Sequence, residues 1–355
     1  MIKRDVLRTA LYVTSLIALS SCEKGGSNFS LSSTSSKFEQ SAVFVPRQLD
    51  VLFVVDNSGS MKTSQTNLAQ NFPSFINYFK NKGYDFKIAV TTTDAFYGDQ
   101  FINEGCSICN LQQTQFRASA DASGGTPVRV LDNTTPDLEH IFSANVQVGI
   151  NGSGDERAFS SFKAALNSSL NTGFHRSAAY LSVIIVSDSD DFSQANFDQD
   201  ETYTNPDLHT VQSYVDYLKA FTNNGTPSAD FSVSTIGVLD TACKNQLNQE
   251  KKIGTRYMEL SDLTGGTKNS LCSPFDSVLN NISTQIAGNV QAQFQLSRTP
   301  VVSSIRVIID GTLIPQDAVN GWTYDAVNKI VTVHGIYSPE AGANIVINFD
   351  PESVN

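Results

Sequence analysis

Val51-Leu52-Phe53-Val54-Val55-Asp56-Asn57-Ser58-Gly59-Ser60-Met61 is the stretch on which the reading of this chain turns. Five consecutive apolar residues do not alternate with polar ones, so a strand here is covered on both faces, as in a parallel sheet between helices. It stops at an acid, and serines follow at alternate positions. Small side chains and Gly59 let the backbone turn tightly. The D-x-S-x-S spacing of Asp56, Ser58 and Ser60 then aims oxygens at one place. Open α/β sheets keep their ligand sites at the carboxyl ends of such strands.

Working outward, residues 68–79 carry helical spacing through Leu68, Phe72, Phe75, Ile76 and Phe79, with Gly83 as the stop. Residues 85–90 predict the next strand. Residues 95–125, rich in Gly, Ser and Gln, predict a long insertion, and 128–131 a short edge strand. Helices are expected over 137–143 and 156–170. Residues 181–186 form a second strand apolar on both faces, running into Ser187-Asp188-Ser189-Asp190-Asp191. A helix over 209–221, a strand over 231–238, a weaker strand over 256–260 and a helix over 274–287 complete the alternation. This order predicts an α/β fold with a doubly wound, mostly parallel sheet. From Gln293 onward only strand-like runs and turns remain, with Asp310-Gly311 as a hairpin signal. Residues 291–355 therefore predict a small all-β sandwich module, with Trp322 as its core anchor.

The chain has 355 residues, 40% hydrophobic and 17% charged, which suits a globular protein of two domains. Its 24 Lys+Arg stand against 35 Asp+Glu, a net charge of −11, which argues against nucleic acid as a partner. Lys3, Arg4 and Arg8 precede a short apolar run over 11–19. That run is too short to span a bilayer and has the form of an export signal. Leu19-Ser20-Ser21-Cys22 resembles a bacterial lipobox. The resemblance implies a signal peptide over 1–21 and a lipidated Cys22. It also implies a Ser/Gly-rich tether over 22–46 and a membrane anchor in the bacterial envelope. Glu23 favours the outer membrane, with the protein at the surface. The remaining cysteines, Cys106, Cys109, Cys243 and Cys272, read as disulfides in an exported chain. Cys106 with Cys109 closes a loop and Cys243 with Cys272 is the other natural pair. Three pairings are formally open, and a four-cysteine zinc site is the weaker alternative.

The buried strand ending in D-x-S-x-S resembles the metal-ion-dependent adhesion site (MIDAS) of von Willebrand factor A domains, which integrin I domains share. The resemblance covers 47–290. It implies a divalent cation, Mg²⁺ with Mn²⁺ or Ca²⁺ as alternatives, bound directly by Ser58 and Ser60. Asp56 and Asp188 would act directly or through water. The family adds a threonine from a third loop, and none is present in Gly149-Ile150-Asn151-Gly152-Ser153-Gly154-Asp155-Glu156. Ser153 offers the same hydroxyl; Asp155 or a water is the alternative. One coordination position stays open for a partner's carboxylate. The S-D-x-D-D run and the cysteines resemble MIDAS adhesin-like surface lipoproteins of Gram-negative bacteria. Asp190 and Asp191 either shape the loop or bind a second cation. Asp198, Asp200 and Glu201 read as a solvated acidic loop.

The function expected is that of a surface-anchored lipoprotein, not an enzyme. It would bind a protein or other acidic ligand through the ion, in adhesion. A structural envelope subunit is the alternative, and a metal-assisted hydrolase the weaker one. G-x-S-x-G, H-E-x-x-H and phosphate-loop motifs are missing, and His140, His175, His209 and His334 are scattered. Tether and β-module are expected at the end of the sheet opposite the ion.

Overall fold

The computed structural model describes residues 38–352 apart from 44–47, 103–105, 108, 177–178, 198, 223–230, 248–250, 291 and 341. The expected signal peptide, Cys22, most of the tether and Asp198 lie outside the described residues. The elements in chain order are β1 (Phe38–Val43), β2 (Leu49–Val55), α1 (Lys62–Asn81), β3 (Phe86–Thr92), β4 (Leu131–Asp132), α2 (Leu138–Val146), α3 (Ala158–Asn167), β5 (Tyr180–Ser187), α4 (Val211–Thr222), β6 (Phe231–Gly237), α5 (Thr241–Leu247), α6 (Thr255–Thr264), β7 (Lys268–Ser270) and α7 (Phe275–Asn289). Strands β8 (Ala292–Gln295), β9 (Arg306–Ile309), β10 (Thr312–Ile314), β11 (Trp322–Asp325), β12 (Ile330–Val333) and β13 (Asn344–Phe349) follow.

A six-stranded sheet runs β4-β3-β2-β5-β6-β7, parallel except for β4. Successive residues of β2 point to opposite faces, and both faces are apolar for a reason. Val51, Phe53 and Val55 pack with Phe72, Phe75 and Phe142 from α1 and α2, and with Leu279 and Ile282 from α7. Leu52 and Val54 pack with Phe159 and Phe162 from α3, and with Leu218 and Leu260 from α4 and α6. The chain builds outward from β2 through β3 to β4 on one side, then through β5, β6 and β7 on the other. The carboxyl ends of β2 and β5 therefore flank the point where winding reverses, where a crevice opens. Val55 is level with Val186 in this pair, so Asp56 and Ser187 emerge side by side.

Two expectations are corrected. Residues 256–260, expected as a weak strand, lie inside α6, and the last strand of the sheet is β7. Asp190 receives the backbone N–H groups of Arg256 and Tyr257, and Gly265 ends the helix at φ 68°. Both ends are thus set by contacts that favour a helix over a strand. Residues 38–43, expected as flexible tether, form β1, which pairs antiparallel with β13 along its whole length.

The β-module has two sheets, β1-β13-β9-β10 and β11-β12-β8, closing on one core of Val307, Ile345, Ile347, Val331, Val333 and Trp322. Trp322 is buried and its indole N–H donates to the Ile314 carbonyl at 3.1 Å, so it is a core residue and no platform for a ligand. Asp310 and Gly311 both take positive φ, 46° and 81°, as a two-residue hairpin turn requires. Lys82, just past α1, meets the Ser338 carbonyl and Glu340. The module therefore sits at the end of the sheet where its strands begin, opposite Asp56. The disulfides are Cys106–Cys109 and Cys243–Cys272, which closes the zinc alternative. No described helix is long and apolar enough to cross a membrane.

Phe142 is fully buried, stacks on Phe72 at 3.5 Å between centroids and meets Phe53 edge-on. Phe142→Ala is expected to cost about 3–5 kcal/mol. The check is a fall in the urea midpoint at unchanged slope.

Candidate functional site

Asp56 is wholly buried at the end of β2. Its Oδ1 accepts the Ser58 backbone N–H at 2.7 Å and its Oδ2 accepts the Ser187 hydroxyl at 2.7 Å. Burial raises its pKa and the charge of Asp188 raises it further, while the Ser58 and Ser187 hydrogen bonds oppose the rise. Ser58 and Ser60 stand in front of it, their hydroxyls 3.3 Å apart, half-buried and exposed respectively. Four of the five expected ligands, Asp56, Ser58, Ser60 and Asp188, are thus gathered at one end of the β2–β5 pair.

The 149–156 loop is held close by shared contacts. Gln65, buried on α1, donates its side-chain amide to the Asp56 and Gly149 carbonyls at 3.0 and 2.8 Å. Gly152 N–H donates to the Asn57 carbonyl at 2.8 Å, and a Cβ on Gly152 would stand 2.3 Å from the Asn57 amide nitrogen. Asp94, just past β3, accepts Asn57 Nδ2 and Ser153 N–H on one oxygen. The fifth expected ligand, Ser153, faces its own loop. Its Oγ accepts the Tyr97 hydroxyl at 3.2 Å and the Asp155 N–H at 3.0 Å, which uses both lone pairs. Asp155, the alternative, is turned away into a buried pair with Arg157 at 2.7 Å. Arg157 also lies over the Phe96 and Phe101 rings.

Glu156 is the most exceptional group here. It is 1% exposed, and neither carboxylate oxygen makes a close hydrogen bond, the Thr93 hydroxyl and the Asp56 carboxyl being weaker polar neighbours. Burial holds its carboxyl well above the usual range, and the charges of Asp56 and Asp94 push the same way. One Asp94 oxygen is likewise buried without a partner.

The Ser187–Asp191 run divides by role. Asp188, 6% exposed, meets the Lys251 ammonium at 2.7 Å. Asp190 caps α6 and accepts the Tyr203 hydroxyl at 2.9 Å. Asp191 accepts the Phe159 N–H at 2.9 Å and the Ser193 N–H and hydroxyl, fixing the start of α3. Both therefore shape the loop, one of the two roles open to them from the sequence. Glu201 pairs with Lys252, and Asp200 accepts the Thr202 N–H.

The donor set near Asp56 is hydroxyl and carboxylate oxygen, which suits a hard cation. Among the described residues no three His, Cys, Asp or Glu side chains converge as a ready cage, so a cation here would rely on the serines. Burial favours the neutral form of Glu156 beside Asp56, and the Lys251 ammonium on Asp188 is the positive charge described at the site. Sequence reasoning missed Ser187, Asp94, Gln65, Glu156 and Lys251. Gln65 carried a signal: it stands on the apolar face of α1, three residues before Leu68. Asp94 also carried one, following a strand end next to β2.

No protein-family model matches this chain, and no curated protein matches it. Among solved structures, the pilus adhesin SpaC from Lactobacillus rhamnosus GG in its open conformation is similar with TM-score 0.42 and 12% identity. That match covers 88% of this chain and 40% of SpaC. Proximal thread matrix protein 1 from the mussel byssus is similar with TM-score 0.39 and 12% identity, over 71% of this chain and 51% of that one. The human COPII-coat protein Sec24c is similar with TM-score 0.38 and 10% identity, over 90% of this chain and 42% of that one. The chain thus spans about half or less of the length of each. Likenesses at this level do not say what this chain binds.

A raised acid pKa in the folded state means that the native protein holds its proton more tightly than the unfolded chain does. The associated stability is full below the ordinary Glu value of 4.5 and is lost as pH climbs through the raised folded value. Glu156→Gln removes that loss. In chelator, its urea midpoint is expected to match wild type near pH 4 and to exceed it increasingly towards neutral pH.

Proposed function

We propose that this chain is a von Willebrand factor A-like, doubly wound surface protein. It would hold a divalent cation at the Asp56 loop and bind an acidic group of a protein ligand there. The observation that carries the reading is the pair Asp56 and Asp188. Two buried carboxylates stand at neighbouring strand ends, with the Ser58 and Ser60 hydroxyls facing solvent in front of them. Asp56, Ser58, Ser60 and Asp188 would hold the ion, Mg²⁺ first and Mn²⁺ or Ca²⁺ as alternatives. The ion, when bound, supplies positive charge to an incoming carboxylate.

The chain's own residues do the rest. Ser187 and the Ser58 N–H fix the Asp56 carboxylate. Gln65 and Gly152 lock the 149–156 loop against it. Ser153 braces that loop and gives up a lone pair only if Tyr97 turns away. Beside the site a cleft of about 300 Å³ is lined by Asn57, Asp94, Gln112, Gln115 and Arg117. The exposed Arg117 guanidinium favours an acidic ligand over a basic one. In this proposal the lipidated Cys22 anchors the chain to the envelope and adhesion is its role.

Calorimetric titration with Mg²⁺ and Mn²⁺ tests the reading. Asp56→Asn and Ser58→Ala are expected to weaken ion binding by at least the roughly 10–100-fold that a supporting partner is worth, with far-ultraviolet circular dichroism unchanged. Ser153→Ala is expected to leave the affinity little altered. Wild-type protein that takes up neither ion overturns the proposal.

A further inference from the structure

Asp188 is almost fully buried beside another buried carboxylate, yet the fold keeps it there with one specific cation. The Lys251 ammonium lies 2.7 Å from Asp188 Oδ2, and the lysine side chain is 17% exposed. Lys251 stands in the irregular segment 251–254 that leads into α6. Its neighbour Lys252 is committed elsewhere, to Glu201 and to the face of Phe192 at 4.2 Å. Two adjacent lysines therefore have separate tasks, and only Lys251 is placed on a proposed ion ligand.

We propose that Lys251 is the resident counter-charge of the site, and that a divalent ion binds by displacing its ammonium from Asp188. This inference rests on the metal reading above. A buried carboxylate needs a partner cation, and an ammonium on a flexible four-carbon stem supplies one from within the chain. A divalent ion held by Asp56 and Asp188 would stand within a few ångströms of that ammonium, where like charges repel strongly in poorly screened surroundings. The lysine side chain is already partly exposed, and a long charged side chain readily turns its head to water. The site is then neutralised in two alternative ways, by its own lysine or by the ion. The ion's apparent affinity is set by that competition.

The test is a titration of Mg²⁺ into wild type, Lys251→Gln, Lys251→Arg and Lys252→Gln, paired with carbon-13 NMR of reductively methylated lysines. Lys251→Gln is expected to bind Mg²⁺ roughly tenfold more tightly. Lys251→Arg keeps the charge and stays near wild type, as does Lys252→Gln. The methyl resonance that is missing from Lys251→Gln is expected to shift in wild type as Mg²⁺ is added, and to stay still in Asp56→Asn. Equal or weaker affinity in Lys251→Gln, or a Lys251 resonance that ignores the ion, overturns this inference and leaves the metal reading standing. Failure of wild type and Lys251→Gln alike to bind Mg²⁺ overturns both.

Discussion

Strand β2 carries two wholly buried acids, Asp50 at one end and Asp56 just beyond the other, and the fold treats them in opposite ways. Asp50 is saturated: Arg176 grips it through Nε, Nη2 and its backbone N–H at 2.7–2.9 Å, and His175 stands 3.4 Å away. Asp56 receives the Ser58 amide and the Ser187 hydroxyl, its neighbours Asp188 and Glu156 are themselves acids, and the Lys251 ammonium is committed to Asp188. A buried charge without a counter-charge is expensive. The same strand shows that this chain can neutralise an acid fully when only architecture is at stake. The imbalance at Asp56 is therefore the feature that sets its end of the sheet apart.

Holding that imbalance in place takes a rigid surround. A Cβ on Gly152 would have to displace the Asn57 side-chain amide, Asp94 ties both loops through one oxygen, and Gln65 bridges them from beneath. Asp190 and Asp191 extend the bracing by fixing the first turns of α6 and α3. The acids nearest the Asp56 loop thus divide into Asp94, Asp190 and Asp191, which organise the fold, and Asp56 itself, which stands behind Ser58.

The central strands were legible because a sheet covered on both faces needs uninterrupted apolar runs, and VLFVV and LSVIIV supply them. The loop ends drew notice because acids and hydroxyls follow such runs directly, yet Ser187, Asp190 and Asp191 serve hydrogen bonds that shape the surround of Asp56. Strand β1 was not legible: FEQSAV is polar and follows a Ser-rich stretch, and its partner β13 lies some 300 residues away. Helix α6 was misread because RYMEL is too short a run to separate the two periods. Its start is set by Asp190 from a distant loop, and only Gly265-Gly266 gave a local stop signal. The allegiance of Ser153 depends on Tyr97, which belongs to the insertion, so spacing around Ser153 carried no information about it. Lys251 was hidden for the same reason: Asp188 is 63 positions away in sequence.

The position of the β-module follows from the chain path. β1 leaves the module at residue 43 and β2 begins at 49; α7 ends at 289 and β8 begins at 292. Two short crossings therefore join the module to the sheet at the end where the parallel strands start, and Lys82 adds a contact there. One crossing feeds β2 directly, and α7 packs against α1 on the face that β2 also lines. Force applied at the module thus enters the very strand that ends in Asp56. That strand is paired on both sides by seven-residue parallel ladders to β3 and β5, so load spreads across the sheet before reaching the serine loop. Ladders on both edges of β2 hold its carboxyl end, and with it Asp56, in fixed register with β3 and β5.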